Sequence, residues 1–322
     1  MNRKTFAGLC GISLPKLQSA ADSVVAGEGY QQVLVPKRRG GWRVTLRPSP
    51  SVDVALTALR DGLSRFYMAP DHVHGYVRRR DTTTNARPHC GQRVVLGIDL
   101  EDFFGSITVR RIEDSLRQLG FDEALISIIT TAGCVDDSLP AGFPSSPVLS
   151  NLAFLETDAA LAAYASAKGL AFTRYADDMT FSSSRLDDTE LAEIGSVLRD
   201  QGWRLNDKKT RFMRSGKAQY VTGLYVGLGD GPRVPRRLKR ALRMQLHFLE
   251  KYGYEDCHAN TAWTPGHRRV WGLINYIKRL EPTLAARLAE TAGLIDFQLP
   301  ERFGVDDDWD EMLDELGVPD WL

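Results

Sequence analysis

Tyr175-Ala176-Asp177-Asp178 sets two carboxylates side by side, between a strand-like entry, Leu170 to Arg174, and a strand-like exit, Met179 to Ser182. Neighbouring side chains of a strand point to opposite faces, so adjacent acids converge only where the backbone turns. The flanks therefore predict a hairpin with the acids at its tip. Hard oxygen donors placed there suit Mg²⁺. A third carboxylate, Asp99, ends the hydrophobic run Val94 to Ile98. An ionised acid at the end of a buried strand is costly unless a cation pairs with it. Three carboxylates are enough to hold two Mg²⁺ ions roughly 3.5 to 4 Å apart, the arrangement that phosphoryl transfer from a nucleotide requires.

The elements that must position these acids are legible in outline. Residues 1–29 read as two short helices broken at Gly11, with Ser13 and Pro15 as start signals for the second. Residues 30–48 read as two β-rich runs around a basic, glycine-bearing turn that carries Lys37, Arg38, Arg39 and Arg43, side chains able to close over phosphate. A helix is expected over 51–68, and a polar, basic segment over 74–89 precedes the strand that delivers Asp99. Helices follow over 109–133, with Ile112, Leu116 and Leu119 on one face. Between the two acidic sites lies the turn-rich loop Leu139-Pro-Ala-Gly-Phe-Pro-Ser-Ser-Pro147, running into one helix from about 148 to 168. Beyond Gly231, segments 233–251 and 267–279 read as basic amphipathic helices, the first with Leu238, Leu242, Leu246 and Leu249 on its apolar side.

At 322 residues the chain can bury a substantial core. The 41 basic and 41 acidic residues cancel, but unevenly: 301–322 holds nine acids against Arg302 alone, leaving 40 basic and 32 acidic residues in 1–300. A basic body is what a phosphate backbone needs. The cysteines, Cys10, Cys90, Cys134 and Cys257, lie far apart, so neither a zinc site nor a disulfide framework is indicated, and a reduced, cytoplasmic setting is expected. No apolar run is long enough for a bilayer or a signal peptide, so a soluble protein with no membrane partner is expected.

Taken in order, Asp99 with Phe103 and Phe104, Gly142-Phe-Pro-Ser-Ser-Pro147, Tyr175-Ala-Asp-Asp178, Gly202-Trp-Arg-Leu-Asn-Asp-Lys-Lys-Thr210 and Val221-Thr-Gly-Leu-Tyr-Val226 resemble the successive motifs of reverse transcriptases. Asn85-Ala-Arg-Pro-His89 and Val221-Thr222-Gly223 are similar to two segments typical of the retron members. The resemblance covers about residues 30–285. It implies an α+β fold, a right-hand polymerase with fingers (30–90), a palm of antiparallel sheet and helices (91–230, with 109–140 an intervening fingers segment) and a helical, RNA-recognising thumb (231–300). A helical N-terminal segment (1–29) and an acidic tail (301–322) flank them.

The resemblance also implies roles. Asp99, Asp177 and Asp178, with the backbone of Leu100, would hold two Mg²⁺ ions, and Lys209 would protonate the leaving pyrophosphate. Arg43, Lys37, Asp102, Gly142 and Pro144 would contact the nucleotide, and Phe103 would act as the steric gate under the sugar. Val221, Thr222, Gly223, Asn85 and His89 would serve primer and RNA. Ala141 stands where the family commonly has Gln, and Asp81 where a small hydroxyl residue is usual. The implied activity is RNA-directed DNA synthesis from dNTPs. The template is a cognate structured non-coding RNA (msr-msd), primed from an RNA 2′-hydroxyl, and the branched RNA–DNA product serves antiphage defence with an effector protein. Another bacterial reverse transcriptase, of the intron-encoded or abortive-infection kind, and a non-polymerising nucleic-acid scaffold are the competing readings. In the tail, Trp309, Met312, Leu313 and Leu316 fall at i, i+3, i+4 and i+7 of an acidic amphipathic helix, which favours a protein contact.

Overall fold

The computed structural model describes residues 1–36, 40–260 and 264–297. Lys37 and the tail helix expected over 301–322 lie outside the described residues. Two short helices, α1 (Arg3–Cys10) and α2 (Leu14–Val25), are separated by Gly11 in the left-handed region, with Ser13 and Pro15 at the start of the second as expected. They pack on α3 (Pro50–Leu63) and α6 (Glu123–Gly133), where Phe6, Leu17, Leu56 and Leu59 are fully buried. Between α2 and α3 stands an antiparallel hairpin, β1 (Tyr30–Pro36) and β2 (Trp42–Pro48), in register from Tyr30 opposite Pro48 to Pro36 opposite Trp42.

The next elements are α4 (Thr82–Ala86), β3 (Val94–Asp99), α5 (Val109–Gln118), α7 (Ser146–Ala153), α8 (Leu155–Lys168), β4 (Ala171–Tyr175), β5 (Asp178–Ser183), α9 (Asp188–Asp200) and β6 (Arg211–Arg214). The strands form one antiparallel sheet in the order β4-β5-β3-β6. Leu96, Ile98, Met179 and Phe181 are buried in that sheet, with α8 packed on β4 and α9 on α8.

The single helix expected over 148–168 is two, α7 ending and α8 beginning at Phe154, whose φ of −98° and ψ of −3° open the turn there. Its ring is fully buried against Phe103 and Trp203, and the break lets Asn151 and Asp158 both reach Arg174.

A two-stranded hairpin, β7 (Tyr220–Val221) and β8 (Leu224–Tyr225), leads to the C-terminal helices α10 (Arg236–Tyr252), α11 (Tyr254–Asn260), α12 (His267–Lys278) and α13 (Pro282–Gly293). Leu238, Leu242 and Leu246 of α10 interlock with Val270, Ile274, Ile277 and Leu288 in a second core, as the helical spacing demands. Tyr276 and Leu280 join it to a small cluster made by Ala86, Val95, Val221 and Leu224. No helix among the described residues is long and apolar enough to cross a membrane.

Candidate active site

Asp99 ends β3 directly opposite Asp178, which begins β5. Facing residues of an antiparallel pair project to the same side, with Cβ atoms about 4.5–5.5 Å apart. Asp177 sits in the two-residue turn between β4 and β5 beside Ala176, whose φ is 57°. A left-handed residue with a Cβ costs roughly 1–2 kcal/mol and needs holding. Arg174 Nη1 holds it, donating to the Ala176 carbonyl at 3.0 Å. That guanidinium is fully buried and doubly bonded to Asp158, at 2.7 and 2.6 Å, with Asn151 Oδ1 accepting at 3.1 Å. Asn151 Nδ2 in turn donates to the Gly75 carbonyl at 3.1 Å, and Gly75 presses so closely on the Ala176 nitrogen that no Cβ fits there.

The charges crowd. Burial, followed by the neighbouring charges of Asp177 and Asp99, pushes the Asp178 carboxyl up to about 7, with Arg211 opposing. Asp177 is raised likewise, by burial and then Asp99, against Lys209 and Arg43. Burial and Asp177 push the Tyr76 phenol up to about 12. Hard oxygen donors that resist ionisation together are the donor set a divalent cation satisfies, so the residues present fit Mg²⁺. Among the described residues no three such side chains yet close on one point. Instead Lys209 Nζ lies 3.1 Å from the Asp99 carboxylate, with Asn206 Nδ2 at 3.4 Å.

The Lys209 loop is stitched to the strand end. Asn206 N donates to the Asp99 carbonyl at 2.9 Å, Glu101 N to the Arg204 carbonyl at 3.0 Å, and Leu100 bridges Leu205. Arg43, on β2, is near enough to Asp177 to favour its charge. Gly142 has a φ of 108°, and a Cβ there would lie 2.5 Å from the Leu46 carbonyl oxygen. Leu46 N donates to the Ala141 carbonyl at 2.8 Å. The glycine therefore admits strand β2, and the Ala141 backbone serves the same joint. Pro144 is half-buried on that loop, and Asp102 is exposed with φ 43°, its carboxylate folded over Gly105.

Two expectations need correction. Phe103 is only 4% exposed, its ring packed with Phe104, Phe154 and Trp203, so it cannot lie under a sugar. Its half-buried neighbour Phe104 presents the available ring. Asn85 and His89 are fully buried and do not meet nucleic acid directly. His89 spends both ring nitrogens on Ser182 (2.6 Å) and Thr173 (2.8 Å), while Asn85 Nδ2 reaches Thr222 Oγ1 at 3.3 Å. Thr222 and Gly223, with φ of 40° and 71°, form the turn joining β7 to β8, buried with Val221. Asp81, unusual at its position, caps α4 and pairs with Arg279 at the end of α12.

Sequence reasoning passed over Arg174, Asp158, Asn151 and Asn206. The available signal was a lone charge in an apolar strand, Arg174.

Residues 35–229 match the family model described as reverse transcriptase (RNA-dependent DNA polymerase). The chain is 33% identical over 282 residues to the retron Mx65 reverse transcriptase of Myxococcus xanthus, a match that covers 81% of this chain and 63% of that protein. It is 31% identical over 233 residues to the retron Ec86 reverse transcriptase of Escherichia coli, covering 69% of this chain and 71% of the relative. A solved foamy viral protease-reverse transcriptase, in complex with ds DNA, aligns with 94% of this chain and 47% of its own, at 15% identity and a TM-score of 0.48. Carrying its three acids at one sheet corner, this chain belongs to the reverse transcriptase family, among the retron reverse transcriptases.

Proposed function

We propose that this protein is an RNA-directed DNA polymerase of the retron kind, with Asp99, Asp177 and Asp178 as the carboxylates that hold two Mg²⁺ ions. The observation that carries the reading is the Asp99–Asp178 register pair, closed by the Asp177 turn and faced by Lys209. When bound, the ions neutralise phosphate charge and make the primer hydroxyl a better nucleophile. The chain's own residues do the rest. Arg43 draws the triphosphate toward the hairpin face, and Phe104 limits room under the sugar. Lys209, whose Nζ lies 3.1 Å from the Asp99 carboxylate, turns to the leaving pyrophosphate and gives it the Nζ proton. Asp102, Gly142 and Pro144 line the nucleotide side, with the Leu100 carbonyl a further oxygen donor.

In this reading 30–90 are fingers, 91–230 palm and 231–300 thumb, and the basic thumb helices grip the cognate structured RNA. The turn at Val221, Thr222 and Gly223 seats the primer through its backbone. Priming from an RNA 2′-hydroxyl, a branched RNA–DNA product, an effector partner and an antiphage role follow from the retron resemblance, and belong to the proposal. The test is to purify the protein from its native host and sequence the nucleic acid bound to it. A branched hybrid is the expected outcome; linear RNA alone would favour another kind of reverse transcriptase, and none would sink the polymerase reading.

A further inference from the structure

Helix α10 buries its leucines inward and leaves an apolar stripe outside. Met244, Phe248 and Tyr252, at i, i+4 and i+8, are 49%, 45% and 50% exposed. The Phe248 and Tyr252 rings stack at 6.0 Å with 19° between their planes, and Lys251 Nζ lies 5.0 Å over Tyr252. Three large apolar side chains in a row on one exposed face are more than the scattered exposure that surfaces ordinarily carry. Arg240, Arg243 and Lys251 are exposed on the same helix, against one acid, Glu250.

The described chain ends against Tyr254, the first residue of α11, the helix that follows α10. Ile295 and Phe297 pack on the thumb core, and the Phe297 ring lies 5.2 Å from Tyr254 and 5.3 Å from His267. Tyr254 stands two residues beyond Tyr252. From there 25 residues, 298–322, continue, with nine acids, one arginine, and Trp309, Met312, Leu313 and Leu316 at helical spacing. Met244 to Tyr252 spans about 12 Å of helix. The eleven residues between Phe297 and Trp309 reach up to about 36 Å when extended, so the tether does not limit docking.

We infer that the acidic segment 306–322 docks on the Met244–Phe248–Tyr252 stripe of its own chain, its apolar residues covering the stripe and its acids meeting Arg240, Arg243 and Lys251. Length, apolar spacing and charge match on both sides. A consequence, which rests on the polymerase reading, is that the tail and a phosphate backbone compete for this helix; the docking itself does not depend on that reading.

The experiment places a photoreactive p-benzoylphenylalanine at Leu313 of the full-length protein, irradiates it without nucleic acid, and maps the cross-links by mass spectrometry. Links within one chain to the peptide holding Met244–Tyr252 are expected. Their yield should fall about tenfold when Met244→Glu and Phe248→Glu are introduced together, since each places a charge where apolar area was covered. Both positions face away from the thumb core, so the circular dichroism spectrum of that variant should match the parent's, which separates lost docking from lost folding. Links confined to another segment, links only between chains, or no links would each overturn the proposal, the last two favouring a second copy or a separate protein as the occupant.

Discussion

Asn85 and Thr222 lie 137 positions apart in the chain, yet Asn85 Nδ2 donates to Thr222 Oγ1 at 3.3 Å while Thr222 Oγ1 donates in turn to the Thr82 carbonyl at 3.3 Å. The two segments that single out the retron resemblance are thus halves of one buried joint, which fixes the Thr222-Gly223 turn against α4 and the sheet. Replacing Asn85 by Ala or Thr222 by Val should each cost about 1–3 kcal/mol, as buried polar partners are orphaned. A double-mutant cycle by urea denaturation should give a coupling near 1 kcal/mol. Strict additivity would mean the bond holds nothing.

Phe103 and Phe104 should separate cleanly. Phe104→Ala is expected to admit ribonucleotides, raising their use relative to deoxynucleotides by about tenfold or more, as the loss of a steric wall allows. Phe103→Ala should cost about 3–5 kcal/mol of stability by opening a cavity among Phe154 and Trp203, with sugar selectivity retained. Single-nucleotide incorporation with dNTP and rNTP pairs decides between the rings, and the reverse result would restore Phe103 to the gate.

Asp177→Asn should reduce dNTP incorporation by at least about a thousandfold, through loss of a carboxylate that would hold Mg²⁺. Without Mg²⁺ the same variant should melt higher than the parent, because it removes the like charge that helps to raise Asp178. A lower melting temperature in EDTA would show that the acids are already compensated without metal.

Breaking the buried Arg174–Asp158 pair by Asp158→Asn should cost about 3–5 kcal/mol, leaving a guanidinium without its counter-charge. The double variant Arg174→Met with Asp158→Leu should recover much of that stability. Incorporation should stay low, because the Ala176 carbonyl loses its donor and the turn bearing Asp177 loosens. A double variant with full activity would assign the pair to folding alone.

Acid should weaken the fold through His89. Burial lowers its pKa from 6.5 to about 3, so the folded state keeps it neutral while the unfolded chain binds a proton. Its stability is fully present above pH 6.5 and is lost as the pH falls from there toward 3. His74 adds in the same direction, lowered by burial to about 4. Asp178, raised to about 7, acts in the opposite sense over the same range, so the check is differential: between pH 7.5 and 5.5 the urea midpoint of His89→Gln should rise relative to that of the parent.

Local chemistry in the sequence was enough to determine the hairpin that lifts Asp177 and Asp178, the strand that ends on Asp99 and most helices, though not the division at Phe154, because period, turn residues and apolar runs act over a few residues. The resemblance carried by those segments named the family. Which of two adjacent rings stays accessible was settled only by packing, since Phe103 and Phe104 differ in what surrounds them and not in what they are. The same holds for Arg174, Asp158, Asn151 and Asn206. A polar side chain buried in a core acquires its role from partners tens of residues away, and those partners meet only when the whole sheet and its helices close around them.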